Sequence, residues 1–488
     1  MTFDAQILRD PNTGFIVDLH LGSTTEDTGL QQALDAMNLL ESGVQANIDE
    51  NRQVGHYWLR NADIAPSQSI KDDIHLSHQA VRELDASGFN TVLLVGIGGS
   101  ALGPELAIDA LRPPQGRRFV LLDTIDPRAI ERRLQEIDPK ETLVLVVSKS
   151  GSTTETLVAL RIVEAHFATT GVCFPDHAVA ITSPGSPLAE MAKDWRATLH
   201  TWEWVGGRTS ITSTVGLAPM HLCGIDTEAF LSGAKAMDEW TRQPIAHNPA
   251  AWMAAQWHCQ KNDALVVLPY ADHLRHLGRY LQQLVMESLG KRHDREGAEV
   301  SHGLTVYGNK GSADQHAILQ QLRDGPDNVL IHFIDCLPEP ATSPLLQDAA
   351  DTQQALLAGV RTALHEVGRP IVSITLPDQG PRALGALIAL FERAVGFAAE
   401  LANINAYHQP GVEAAKIAAR EQLHHLQLVE TALTNDPTTA KDLAKRLNLS
   451  SQHVWRLCTH LAHMNRATRS AGKTPSEDRF QATKNLLK

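Results

Sequence analysis

The sequence predicts an α/β chain built on two doubly wound parallel sheets, with a small helical extension at its C-terminus. Three observations carry this expectation. Apolar, β-branched runs at 91–95, 119–123, 142–147 and 178–182 alternate with stretches of helical period, a second alternation follows at 264–268, 329–334 and 370–375, and after 425 the pattern breaks into short helical blocks. Continuous apolar runs mark parallel strands covered on both faces, and right-handed crossovers gather the loops at their carboxyl ends along one edge. The expected divisions are an N-terminal packing extension over 1–60, α/β domains over 61–235 and 236–425, and a helical, helix-turn-helix-like extension over 426–488.

The chain's 488 residues and mass of 53.3 kDa are enough for several cores. Its 43 basic against 56 acidic residues give a net charge of −13, which does not support bulk attraction to nucleic acid or anionic membrane, so an anion site must be local. Five cysteines without CxxC spacing imply no disulfide framework. The N-terminus lacks the basic-then-apolar order of a signal peptide, and the most apolar stretch, 383–402, carries Glu392, Arg393 and Glu400. A soluble, cytoplasmic protein with no membrane partner is expected.

Residues 1–60 hold a short apolar stretch at 15–19 and a helical pattern around 30–40, without a chemical signature. A helix pattern through Ile70, Ile74, Val81 and Leu84 then leads into the first strand, which runs into Gly96-Ile-Gly-Gly-Ser100 and a helix through Leu106 and Leu111. Glycines that permit close backbone approach, a serine in the N-cap region and a helix start form an anion site. The stretch 96–101 also fits a GxGxxA dinucleotide fingerprint, with Asp123 as ribose ligand, so a nicotinamide reading stays open.

The strand at 142–147 runs into Ser148-Lys-Ser-Gly-Ser-Thr-Thr-Glu-Thr156, six hydroxyls in nine residues. That density suits a monophosphate cradle of short donors better than a dinucleotide site; a serine-rich capping turn is the plain alternative. Downstream, Gly206-Gly-Arg208 offers an arginine for anion work or an ordinary surface ion pair. Met286-Glu-Ser-Leu-Gly-Lys291 and Gln315-His316 suggest acid/base groups, although His316 also reads as a helix-start or core histidine. Gln409 and Lys416 bracket a helix restarting at Pro410, a position proline commonly occupies without functional meaning.

Between 426 and 470, three helical patterns (426–433, 440–447 and 454–464) resemble a helix-turn-helix with an excess of Lys and Arg. A packing extension is the favoured reading, without a nucleic-acid partner. The tail from Arg469 reads as loosely structured.

Five motifs in this order, Gly96–Ser100, Ser148–Thr156, Gly206–Arg208, Met286–Lys291 with Gln315-His316, and Gln409-Pro-Gly-Val-Glu413 with Lys416, resemble the glucose-6-phosphate isomerase family from about 60 to 425. The resemblance implies two sugar-isomerase (SIS) domains and a metal-free, cofactor-free aldose–ketose isomerase. It would interconvert glucose 6-phosphate and fructose 6-phosphate in glycolysis and gluconeogenesis, through a cis-enediol. It implies phosphate binding by Gly99, Ser100, Ser148, Lys149, Ser150 and Thr153, substrate binding by Gln409, and Glu287 as the base that carries a proton between C2 and C1. Arg208 would stabilise the intermediate's charge, and Lys416 and His316 would open the sugar ring. His316 would come from the partner subunit of a homodimer. The chain departs from the family at Leu289 (asparagine), Asp314 (glycine) and Ala406-Tyr-His408 (Pro-Phe-Asp). The alternative is a sugar-phosphate-sensing regulator whose C-terminal element binds DNA.

Overall fold

Thr91–Val95, Thr142–Val147 and Ala178–Thr182 are buried along their whole length, as expected of strands covered on both faces. They lie in a five-stranded, fully parallel sheet ordered Arg118–Leu122, Thr91–Val95, Thr142–Val147, Ala178–Thr182, Ala197–His200. The structure is a computed structural model that describes residues 6–20, 29–44, 46–259, 263–308, 310–337, 339–340 and 342–483. The side chain of Cys259 and the last five residues of the expected loose tail lie outside that description.

The second sheet has six strands. Four are parallel, ordered Ile371–Leu376, Val329–Cys336, Ala264–Pro269, Thr305–Tyr307. The first segment of the chain adds to its edge an antiparallel hairpin, Gln6–Arg9 and Ile16–His20, with Ile16–His20 paired to Ile371–Leu376. The alternating burial of Ile16–His20 suits a strand at the margin of the sheet.

Helix Pro381–Leu401 is buried on nearly every side, and no helix among the described residues is long and apolar enough to cross a membrane. It crosses helix Thr227–Trp240 at backbone contact: a Cβ on Gly385 would lie 2.0 Å from the Phe230 carbonyl oxygen, and one on Gly233 would lie 1.8 Å from that of Arg382. The charges that interrupt it pair inside the core. Arg393 meets Glu41 of helix Leu30–Glu41, Glu392 meets Arg60, and Arg60 reaches Asp238 at 2.7 Å. Arg242 lies 2.5 Å from Glu41 as well. Burial pushes the Glu41 carboxyl up, but the two guanidiniums outweigh it and hold it below its usual range.

The chain divides into two compact units, Met1–His408 and Gln409–Lys488. In the second, helices Pro410–Ala432, Ala440–Leu447 and Ser451–His463 share a core with a small antiparallel sheet ordered Thr438–Thr439, Arg479–Ala482, Ala467–Ser470. This corrects the expectation of a loose tail from Arg469. Phe480 is fully buried, and Asp478 accepts from Trp455 Nε1 at 2.8 Å and pairs with Arg469 at 2.7 Å. Strands as short and polar as Ala467–Ser470 give little periodic signal, so this pairing was not legible locally.

Glu41→Ala would leave Arg393 buried without its carboxylate. Urea unfolding is expected to show a loss of about 3–5 kcal/mol. A loss below about 1 kcal/mol would show that the network contributes little.

Candidate active site

In the first sheet the second strand in sequence lies to one side of the first and the third to the other. Thr91–Val95 and Thr142–Val147 therefore flank the point where the winding reverses, and ligands of such sheets bind outside the carboxyl ends of those two strands. The loops leaving there are the two anion loops read from the sequence. The helices that follow, Leu102–Leu111 and Thr154–Thr169, have no side-chain cap on their first turns. By contrast Ser67, Asp126, Ser213 and Asp226 cap helices elsewhere in the same unit. Two uncapped positive helix ends, packed on opposite faces of the sheet and both starting at its carboxyl edge, suit an anion.

Ser100 ends a 3-10 turn, Gly98–Ser100, one residue before the N-cap residue Ala101, which makes no side-chain capping bond. In the second loop the Thr153 hydroxyl lies 2.9 Å from that of Ser148, and Ser152 donates to Ser150 Oγ at 3.1 Å. Gly151 has φ +64° and a Cβ there would lie 2.7 Å from Ser186 Oγ, so the turn requires glycine. Lys149 Nζ donates to the carbonyls of Glu203 and Val205, both at 2.9 Å, which ties this loop to the segment entering Gly206. The ammonium is thus held by carbonyls. Burial and the nearby Arg52 hold its pKa below the usual value.

The two glycine loops touch. A Cβ on Gly99 would lie 2.2 Å from the Gly207 carbonyl oxygen, and Ser210 Oγ donates to the Gly99 carbonyl at 3.3 Å. From this contact Arg208 extends, 7% exposed, to donate through Nη2 to the carbonyls of Ala406 at 2.6 Å and His408 at 3.1 Å. Its Nη1 donates to Glu287 Oε2 at 3.2 Å. Burial lowers the Arg208 pKa, and Glu287 works against that shift. Glu287 follows a π-helical turn, Gln282–Met286, an irregularity frequent at functional sites. Gln283 on that turn donates to Glu287 Oε2 at 3.4 Å, and a Cβ on Gly98 would lie 3.2 Å from Gln283 Nε2. The anion loop, the arginine and the carboxylate meet at one place.

Beneath Glu287 sits Lys291, 5% exposed, with Nζ donating to the carbonyls of Glu287 at 2.7 Å and Ser288 at 2.8 Å. Burial, with Arg208 nearby, lowers its pKa from the 10.5 of a free side chain to about 7. A neutral amine keeps two N–H groups, enough to satisfy both carbonyls. The sequence shows Lys291 only as a motif residue; its burial was not legible.

His316 is exposed on helix Gly311–Asp324, where the Asp314 carboxylate accepts the Lys310 backbone N–H at 3.2 Å. Gln409 is the N-cap residue of helix Pro410–Ala432, and Lys416, exposed two turns on, pairs with Glu413 at 2.7 Å, both within the second unit. Asp123, the ribose ligand of the nicotinamide reading, is paired with Arg279 at 2.9 Å.

Two of the departures from the family pattern are absorbed. Leu289 is fully buried in the core, and Ala406 and His408 hold Arg208 through their backbone carbonyls, which a residue of any type supplies. Residues 1–60 hold contacts that sequence reasoning missed. Arg52 donates to the carbonyls of Glu203 and Tyr407, each at 3.0 Å, and Asn47 to that of Tyr407 at 3.0 Å. These partners are 151 to 360 positions away, so no local pattern could have shown them.

A sequence model of the family described as phosphoglucose isomerase matches residues 17–360 and 346–443. The chain is 42% identical over 510 residues to the glucose-6-phosphate isomerase of Thermosynechococcus vestitus, covering 96% of each chain. It is 44% identical over 450 residues to that of Geobacter sulfurreducens, covering 86% of this chain and 85% of the other. Among solved structures, a glucose-6-phosphate isomerase from Chlamydia trachomatis superposes with a TM-score of 0.76 at 27% identity, over 85% of this chain and 89% of the other.

Lys291→Met replaces the buried amine with an apolar side chain. Because the folded pKa of about 7 lies below 10.5, the unfolded chain binds the extra proton between those values, and wild type gains stability as pH rises through that window. The unfolding midpoint of wild type minus that of Lys291→Met is therefore expected to rise between about pH 7 and pH 10. A difference independent of pH would contradict this placement of Lys291.

Proposed function

The chain belongs to the phosphoglucose isomerase family and is an aldose–ketose isomerase acting on glucose 6-phosphate and fructose 6-phosphate, and we propose that Glu287, paired with Arg208, carries its proton. The observation that carries this reading is the 3.2 Å contact between Arg208 and Glu287 beside the Gly98–Gly99 turn. A phosphate held by the two uncapped helix ends, the hydroxyls of Ser100, Ser148, Ser150 and Thr153 and the backbone at Gly99 and Lys149 fixes one end of the sugar.

With the aldose open, the Glu287 carboxylate takes the proton from C2. The C2–H electron pair becomes the C1–C2 double bond, and the C1 carbonyl pair moves to O1, which takes up a proton to give the cis-enediol. Loss of the O2 proton and return of the proton from Glu287 to C1 give the ketose. Negative charge developing on O1 or O2 meets the Arg208 guanidinium, which is charged throughout and fixed by two carbonyls. No redox equivalent enters or leaves.

Lys416 and His316 take the ring-opening roles, moving protons between the ring oxygen and the C1 hydroxyl, with Gln409 on the substrate. The exposure of His316 supports its delivery to the site by the partner in a homodimer. A cytoplasmic location belongs to the same proposal, as does the division into two SIS domains over 61–235 and 236–425. The non-catalytic regulator gains no support from the comparisons, since a sensor would need the phosphate loops but no base.

The test is a coupled assay of glucose 6-phosphate formation from fructose 6-phosphate, wild type beside Glu287→Gln. Turnover by wild type and a fall in kcat of about 10²- to 10⁴-fold in the variant, with sugar-phosphate binding retained, are expected. A variant as fast as wild type would remove Glu287 from the role.

A further inference from the structure

The match to the family's sequence model ends at residue 443, and the chain goes on to complete a unit around its own core with helix Ser451–His463 and two strands, none of which carries a residue assigned to the isomerase reaction above. Its order is helix, short strand, helix, helix, then a two-stranded hairpin packed as a sheet with the short strand. That is the arrangement of a winged helix-turn-helix. The turn between the second and third helices is Asn448-Leu449-Ser450: Asn448 adopts φ +54° to end one helix, and Ser450 Oγ accepts the His453 N–H at 3.2 Å to start the next.

The third helix has two faces. Val454, Cys458 and Leu461 are buried in the unit's core. Gln452, Arg456, Thr459 and His463 fall at i, i+4, i+7 and i+11, a single row, with Gln452, Arg456 and His463 exposed and Thr459 half-buried. Thirteen residues make a rod about 20 Å long and 10–12 Å across, the width of a major groove. The hairpin is locked beside this helix, since Trp455 donates to Asp478, Asp478 pairs with Arg469, and Arg469 stacks over the Trp455 ring at 5.7 Å.

Charge separates structure from surface. In a chain of net charge −13, residues 434–483 carry eight Lys and Arg against four Asp and Glu. Arg466 and Arg469 are used internally, on Glu430 and Asp478. Lys441, Lys445 and Arg446 on the second helix and Arg456 on the third are exposed, and none forms an ion pair among the described residues. Unpaired cations on the two helices of a helix-turn-helix, with glutamine, threonine and histidine on the exposed row, fit a phosphate backbone and the edges of base pairs.

We propose that residues 434–483 bind duplex DNA, with helix Ser451–His463 in the major groove and Lys441, Lys445 and Arg446 on the backbone. The occupant is B-form duplex because the major groove of A-form RNA is too deep and narrow to admit a helix. This inference rests on the second unit alone and stands whether or not Glu287 is the base. It reverses the sequence reading of a plain packing extension, which lacked the two strands.

The test is fluorescence anisotropy of a labelled mixed-sequence DNA duplex of about 24 base pairs, long enough for two turns of groove, titrated with the full-length protein at increasing salt. Binding at low salt with log K falling linearly against log salt is expected. Lys445→Ala/Arg456→Ala should weaken binding at least tenfold and flatten the salt slope by about one unit for each phosphate no longer neutralised. Arg420→Ala, one charge removed elsewhere in the unit, should bind like wild type. Isomerase activity and the unfolding midpoint of Lys445→Ala/Arg456→Ala should match wild type, and duplex RNA should compete poorly. No anisotropy change at low salt with protein at about 100 μM, at the weak end of non-specific binding, would overturn the proposal. So would equal binding by Lys445→Ala/Arg456→Ala, or competition by RNA as strong as by DNA.

Discussion

The Arg208–Glu287 contact is the interaction around which the larger unit is arranged. A buried guanidinium beside a carboxylate is costly unless both are held and hydrogen-bonded, and here each is held from several directions. The carbonyls of 406 and 408 orient the guanidinium, the π turn and Gln283 place the carboxylate, and Lys291 braces the backbone that bears it. The pair joins residues from both parts of the chain: Arg208 follows the last strand of the first sheet, and Glu287 follows the first long strand of the second.

A second set of buried charges supports the first without chemistry of its own. Glu41, Arg60, Asp238, Glu392 and Arg393 link three helices and the segment leading to residue 60, and Tyr280 joins the two sets, its one hydroxyl proton lying between Glu392 at 3.0 Å and the Arg208 carbonyl at 3.4 Å. Polar groups at this depth bond in few geometries, so such a network favours one packing of the helices behind the site. His56 lies in the same pocket, and burial, followed by Arg60 and Arg393, drives its pKa well down, so it adds no positive charge there.

Much of this was legible in the sequence because it is local. Continuous apolar runs marked the buried strands, glycines and hydroxyls marked the loops, and the order of the strands then had to bring those loops together. Arg208 and Glu287 stood out as charges in glycine-punctuated stretches. What escaped is long-range: Asn47 and Arg52 reach Tyr407, the hairpin at 6–20 completes the second sheet, and the buried amine of Lys291 looks in sequence like any other lysine. The wing strands escaped for another reason. Their apolar content is one alanine and one phenylalanine at the positions that matter, too little for a period to show.

The most direct test of the account follows hydrogen rather than product. In D₂O, a carboxylate that holds the transferred proton trades it with solvent before returning it to carbon. Proton NMR of fructose 6-phosphate with wild type should therefore show deuterium entering at C1 and, in the glucose 6-phosphate formed, at C2. With Glu287→Gln, which binds the sugar phosphate but has no base at that atom, both carbons should stay unlabelled over the time in which wild type labels them. Labelling at the wild-type rate in Glu287→Gln would contradict the account, for the proton would then be travelling through another group.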